Sequence, residues 1–119
     1  MIGDISKAES VYIACGYTDM RMNIYGLAAY VKQVFDLDPM SNTVFFFCGR
    51  RCDRIKALYW EGDGFVLLYK RLENGGRFQW PRDTEEAKKL TWQQLRWLLE
   101  GLKIDQKTAL KQSGKRLII

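Results

Sequence analysis

Residues Val44 to Trp80 read VFFFCGRRCDRIKALYWEGDGFVLLYKRLENGGRFQW, and no other stretch constrains the fold as much. Four short runs rich in aromatic and β-branched residues alternate with polar joints at Gly49–Asp53, Glu61–Gly64 and Glu73–Gly76. Runs joined by Gly, Asn and Asp in this way have the pattern of consecutive antiparallel strands. The pattern predicts a β-meander with strands at Val44–Cys48, Arg54–Trp60, Phe65–Leu72 and Arg77–Trp80. Val44–Cys48 has no polar alternation. A strand of that kind is covered on both faces, so it is expected at the centre of the sheet. In the next strand Ile55, Ala57 and Tyr59 should share one face, and Leu58 and Trp60 the other.

Successive joints of a meander lie at opposite ends of the sheet. The first and third joints therefore share an end, where Arg50, Arg51, Arg54, Lys56, Lys70, Arg71 and Arg77 meet only Asp53 and Glu73. Those residues carry the whole of the chain's net charge of +5. The second joint carries Glu61 and Asp63. The expected sheet is thus basic at one end and acidic at the other, and a focused basic surface attracts polyanions.

The rest of the chain supplies helices. Val11–Cys15 is a short apolar run that reads as an extra strand, and Gly16 to Arg21 (GYTDMR) turns the chain. Met20, Ile24, Leu27, Ala28, Val31, Val34 and Phe35 recur at helical spacing, predicting a helix from Met20 to Phe35 capped by Thr18 or Asp19. Arg21 then falls in the first turn, where the helix dipole disfavours a cation; either an acid or phosphate partner accounts for it or it is simply an exposed or ion-paired arginine. Pro39 closes the following loop. Asp83–Leu90 reads as a short helix or a polar linker. Thr91 and Gln94 have capping-box spacing, and Trp92, Leu95, Leu98, Leu99 and Leu102 form the apolar stripe of a second helix. Trp97 falls on its polar face, as a contact surface or under the C-terminal segment. The expected whole is a single α+β domain over residues 1–104, an antiparallel meander of four to five strands packed by an N-terminal and a C-terminal amphipathic helix. A basic segment, 105–119, follows.

Composition limits the chemistry. At 119 residues the chain is long enough for one core, and it contains no apolar run near the ~20 residues of a membrane span. MIGDISKAES lacks the regions of a secretory signal, which points to the cytoplasm and no membrane. Cys15, Cys48 and Cys52 are odd in number and read as free thiols. With no histidine and no second cysteine pair, a zinc site lacks ligands and histidine general-base catalysis is excluded. Asp19, Asp36, Asp38, Asp53, Glu61 and Asp63 would have to converge to hold a catalytic magnesium pair. No catalytic residue and no cofactor is expected.

The segments CGYTDMR at Cys15–Arg21, GLA at Gly26–Ala28, FFFCGRRCDRIKALYWEGDGFVLLYKRLENGGRFQWP at Phe45–Pro81 and LTWQQLRWLLEGLKI at Leu90–Ile104 carry a resemblance. They resemble the small accessory proteins, often called TnpB, of bacterial insertion sequences of the insertion-sequence-66 type; an unrelated RNA-guided nuclease shares that name. Met22, Tyr25 and Cys52 depart from the family pattern. The resemblance implies a non-catalytic role in DNA transposition beside a separate transposase, and it carries over no active site. From the residues, DNA phosphates are the expected partner of Arg21, Arg50, Arg51, Arg54, Lys56, Lys70, Arg71 and Arg77, since the arginine fork suits phosphate. Such contacts position without reading sequence. Tyr59, Trp60, Phe78 and Trp80 are candidates for stacking on unpaired bases, against a simpler reading as core. The alternative is an interaction module that assembles or activates the transposase through Trp97, the C-terminal segment and the acidic joint.

Overall fold

A computed structural model of the chain describes residues 3–82 and 84–106. After a 3-10 turn at Ile5–Lys7 come β1 (Ser10–Ala14), α1 (Ile24–Val34), β2 (Thr43–Cys48), β3 (Arg54–Trp60), β4 (Phe65–Arg71), β5 (Ala87–Leu90) and α2 (Trp92–Leu99). The strands form one five-stranded sheet in the order β4-β3-β2-β1-β5. β2 is central and buried along its whole length, as its unbroken apolar run predicts.

Both faces of the sheet are covered. Phe45 and Phe47 of β2 point with Leu58 and Ala14 towards Leu27 and Val31 of α1. Val44, Phe46 and Cys48 point the other way, with Ile55, Ala57 and Tyr59, onto Leu95 and Leu98 of α2. Burying apolar area on both faces is what stabilises a thin sheet of this size, at about 25 cal/mol per Å².

The antiparallel meander is correct for β2, β3 and β4, with Val44 opposite Tyr59 and Ala57 opposite Leu68. Three expectations are overturned. First, the sheet is mixed: β1 lies parallel to β2, with Val11 beside Val44, and α1 forms the crossover that a parallel neighbour requires. Second, residues 77–80 do not form a strand. A turn through Asn74 and Gly75, both at positive φ, is closed by Gly76 N–H donating to the Glu73 carbonyl. The chain then leaves the β4 edge and passes beneath the sheet. There Phe78 and Trp80 are buried and the Trp80 indole N–H donates to the Ala14 carbonyl at 2.8 Å. The alternation of Arg77-Phe78-Gln79-Trp80 is satisfied by packing rather than by pairing. Third, residues 87–90 are neither helix nor linker but the edge strand β5, antiparallel to β1 with Leu90 opposite Val11. Lys88 and Lys89 remain exposed on it, which protects an edge from unwanted pairing.

The helices shift as well. α1 begins at Ile24 with Asn23 as its cap, accepting from Gly26 N–H, and not at Met20 under Thr18 or Asp19. Val34 is 54% exposed instead of facing the sheet. In α2 the capping box of Thr91 and Gln94 is present. Leu102 is exposed, however, and Ile104 takes the buried place beyond the helix. No helix among the described residues is long and apolar enough to cross a membrane. The basic segment expected after Ile104 lies, beyond Gln106, outside the described residues.

Candidate nucleic-acid interface

Because β1 and β2 are parallel, the loop after β1 and the hairpin after β2 emerge at the same end of the sheet. Both ends of the hairpin are bonded: Gly49 N–H donates to the Arg54 carbonyl and Cys52 N–H to the Gly49 carbonyl, each at 3.0 Å. Arg50 and Arg51 occupy the exposed tip, and Cys52 (φ 58) makes the left-handed step that returns the chain. The loop of residues 16–21 docks against this hairpin. Thr18 N–H donates to the Cys48 carbonyl at 2.8 Å. Met20 lies so close that a Cβ on Gly49 would come within 2.8 Å of its Cγ, so any side chain there would have to displace Met20.

Between loop and hairpin lies an open cleft of about 640 Å³. Arg21, Arg50, Arg51 and Arg54 line it, together with Tyr17, Asp19 and Asp53. The backbone brings the third joint to the same end: Leu72 N–H donates to the Asp53 carbonyl and Phe78 N–H to the Cys52 carbonyl, both at 2.7 Å. Arg71 and Arg77 flank those bonds. Seven of the chain's nine arginines therefore gather here, counting Arg82. Arg54 stands directly across from Arg71 in the β3–β4 ladder, and like charges so placed are destabilising unless something neutralises them. At the opposite end lie the 61–64 joint and the loop before β2, with Glu61, Asp63, Asp36 and Asp38.

The cations are not equivalent. Arg50 and Arg51 are exposed. Arg21 precedes α1 and is paired with Asp19 through Nε (3.0 Å) and Nη2 (2.8 Å), the ion-pair alternative of the two left open by the sequence. That hydrogen bonding from Arg21 holds the Asp19 carboxyl down at about 2. Arg54 Nε sits 3.4 Å from Asp53 Oδ1, both half-buried. Lys56 differs most: it turns onto the α1 side and donates to the Met20 and Met22 carbonyls at 2.7 and 2.9 Å. It ties the cleft loop to β3. Lys70 and Arg71 are exposed on the β4 edge.

Two further residues escaped the sequence reading. Arg82, just past Pro81, donates to the Arg50 carbonyl and contacts Cys52 Sγ. Its guanidinium also lies 5.5 Å from the centre of the Tyr17 ring, and that of Arg50 lies 5.1 Å from it. Tyr17 is 51% exposed. A lone tyrosine in a turn and an arginine after proline carry no periodic signal. The only hint was their place in sequence, Tyr17 within CGYTDMR and Arg82 directly after the WP pair. By contrast, the proposed stacking aromatics are structural. Tyr59 is buried and donates to Asn42, Phe78 and Trp80 are buried, and Trp60 packs edge-on against Phe65. Trp97 is half-buried on α2.

The three thiols are buried and free of disulfides. Burial, with Cys52 beside it, pushes the Cys48 thiol up, so it is an inert core group. Of the six carboxylates weighed for metal chemistry, Asp19 and Asp53 sit at the arginine end and the other four at the far end. Among the described residues no cluster of three or more possible ligands forms.

Comparison with known proteins agrees with the segments singled out above. A 39% identical relative over 92 residues, spanning 77% of this chain and 79% of its own length, is the uncharacterized protein y4hO of Sinorhizobium fredii. The uncharacterized protein y4jC of the same organism is 33% identical over 102 residues, 86% of each chain. No solved structure matches. Residues 9–109 match the family model described as IS66 Orf2-like protein, and the chain belongs to that family, the accessory proteins of IS66 transposition.

Proposed function

We propose that the protein serves IS66 transposition by holding DNA through phosphate contacts at the arginine end of its sheet, without catalysing a reaction itself. One observation carries this reading: four arginines, from the 16–21 loop, the hairpin after β2 and the first residue of β3, line one cleft, and only two carboxylates accompany them. Arg50 and Arg51 make the primary contacts, because they are exposed and no carboxylate holds them. Arg54, Arg71, Arg77 and Arg82 add field around them. Arg21 joins by exchanging Asp19 for phosphate. Lys70 supports from the β4 edge, and Lys56 acts indirectly by holding the loop.

The test is a pair of charge reversals, Arg50→Glu with Arg51→Glu, measured by DNA affinity across a salt series. Affinity should fall more than tenfold, and the slope of log affinity against log salt should lose roughly two phosphate contacts. Unchanged affinity with an intact thermal transition removes the reading.

A second reading, docking to the transposase, is favoured by one feature that nucleic-acid chemistry leaves unused. An apolar groove beside α1, at the acidic end, exposes Tyr25 (78%) and Met40 (56%). Copurification with the transposase that survives nuclease treatment supports it.

A further inference from the structure

Phosphate contact alone leaves Tyr17 without a purpose. It is an aromatic ring half open to solvent, at the centre of an arginine cluster, on a loop whose neighbouring Thr18 is buried. The geometry points to an unpaired stretch of a DNA strand as the ligand of this cleft, with Tyr17 as the stacking platform for a base; this rests on the phosphate reading above.

Three observations carry it. A cleft of about 640 Å³ has the size that holds a small ligand or a nucleotide or two, not a duplex, which presents only its phosphate ridges. Exposed aromatics interleaved with cations are the working parts of single-strand sites, because every base has a π-face and none is available in an intact duplex stack. Among the described residues Tyr17 is the aromatic that lines this cleft; Tyr59, Phe78 and Trp80 are consumed by the core, and the exposed Tyr69 lies on β4 outside the cleft. Finally, Arg82, whose guanidinium lies 5.5 Å from the centre of the Tyr17 ring, lines a second concavity of about 640 Å³ together with Cys52, Phe78, Trp80, Lys88 and Lys103. A strand stacked at Tyr17 would cross Arg82 and continue over Lys88 and Lys103, cations that have no place in a purely local phosphate contact.

The experiment uses the full chain and two probes, a thymidine oligonucleotide of about 15 nucleotides and a blunt duplex of the same length, compared by fluorescence anisotropy at one salt concentration. The proteins are wild type, Tyr17→Ala, Tyr17→Phe and the Arg50→Glu, Arg51→Glu pair. Wild type should prefer the single strand. Tyr17→Ala should lose about 5-fold or more on the single strand and less than about 2-fold on the duplex, while Tyr17→Phe keeps its affinity because the ring remains. Equal losses on both probes would reduce Tyr17 to a support for Arg50 and Arg82 and overturn the inference. A wild-type preference for duplex would overturn it too, and both results leave the phosphate reading standing. If the charge-reversed protein binds both probes like wild type, the phosphate reading falls and the inference falls with it. Tyr17 is exposed, so its variants should melt as wild type does.

Discussion

Replacing Lys56 by methionine separates a structural cation from a binding one. Counted by charge, Lys56 belongs to the basic end. In the structure its ammonium is spent on two carbonyls, of Met20 and Met22, and its stem lies beside Phe47 and Tyr69. Hydrogen bonds to a charged group contribute roughly 1.5–3 kcal/mol each. The methionine keeps the stem and loses both bonds. Because the loop is half-exposed, water will replace part of that, so a net loss of about 2 kcal/mol is expected. For a domain of this size a kcal/mol corresponds to about 4 °C, so the midpoint of thermal unfolding should fall by about 8 °C. Amide exchange should also quicken in the 18–22 loop before it does in the strands. A phosphate-contacting lysine behaves otherwise: the melting point stays, and the salt dependence of DNA affinity weakens by about one contact. Calorimetry on Lys56→Met decides between these. A midpoint within about 2 °C of wild type would refute the tether.

Two other expectations follow from the same loop. Gly49→Val places atoms where Met20 now packs, since even a Cβ would approach Met20 Cγ to 2.8 Å; it should cost about 1–3 kcal/mol and weaken DNA binding by displacing the loop, read by thermal melting and anisotropy together. The Asp19 carboxyl, held by Arg21, should titrate near 2 by carboxyl NMR, and Arg21→Ala should return it towards the ordinary 3.8. A lowered folded-state pKa means that the pair's contribution is present above the ordinary carboxyl range and is lost only as pH falls through about 2. The Asp19 carboxyl is therefore ionised throughout the neutral range, where it competes with DNA phosphate for Arg21.

What was legible in the sequence was whatever periodicity or punctuation records. The run TVFFFC has no polar alternation, and it is the strand covered on both faces. Thr91 and Gln94 carry the cap in their spacing alone. What failed has a common cause, the precedence of tertiary context over local pattern. AKKL has helical propensity, yet it pairs with β1, whose free edge needs a partner more than four residues need a helix turn. RFQW alternates like a strand, but its two aromatics found a sheet face to cover instead of an edge to extend. Met20 keeps the helical phase, yet residues 20 and 22 give their carbonyls to Lys56, some 36 and 34 residues away, and the helix starts only at Ile24, behind its Asn23 cap. No local rule could anticipate a lysine in another strand. Tyr17 and Arg82 were silent for the same reason, because their relation exists only across the assembled cleft.

The change in topology is also what builds the site. Had β1 run antiparallel to β2, its carboxyl end would open at the opposite pole, and residues 16–21 would lie beside Glu61 and Asp63. The arginines of the hairpin would then face solvent as a bare turn with no second wall. A parallel neighbour reached through a helix instead sets two loops side by side at the carboxyl ends of β1 and β2, the end at which sheets containing parallel strands generally bind their ligands. The crossover thus accounts for both halves of the cleft, the exposed ring of Tyr17 on one side and the Arg50–Arg51 tip on the other. The same argument makes Gly49 and Lys56 its most sensitive supports, since both act only where the two loops touch. A relative of this chain that kept every arginine but lost the close approach at Gly49 should retain the basic end and lose the cleft. Its DNA affinity would then depend on salt as before and no longer distinguish an unpaired strand from a duplex.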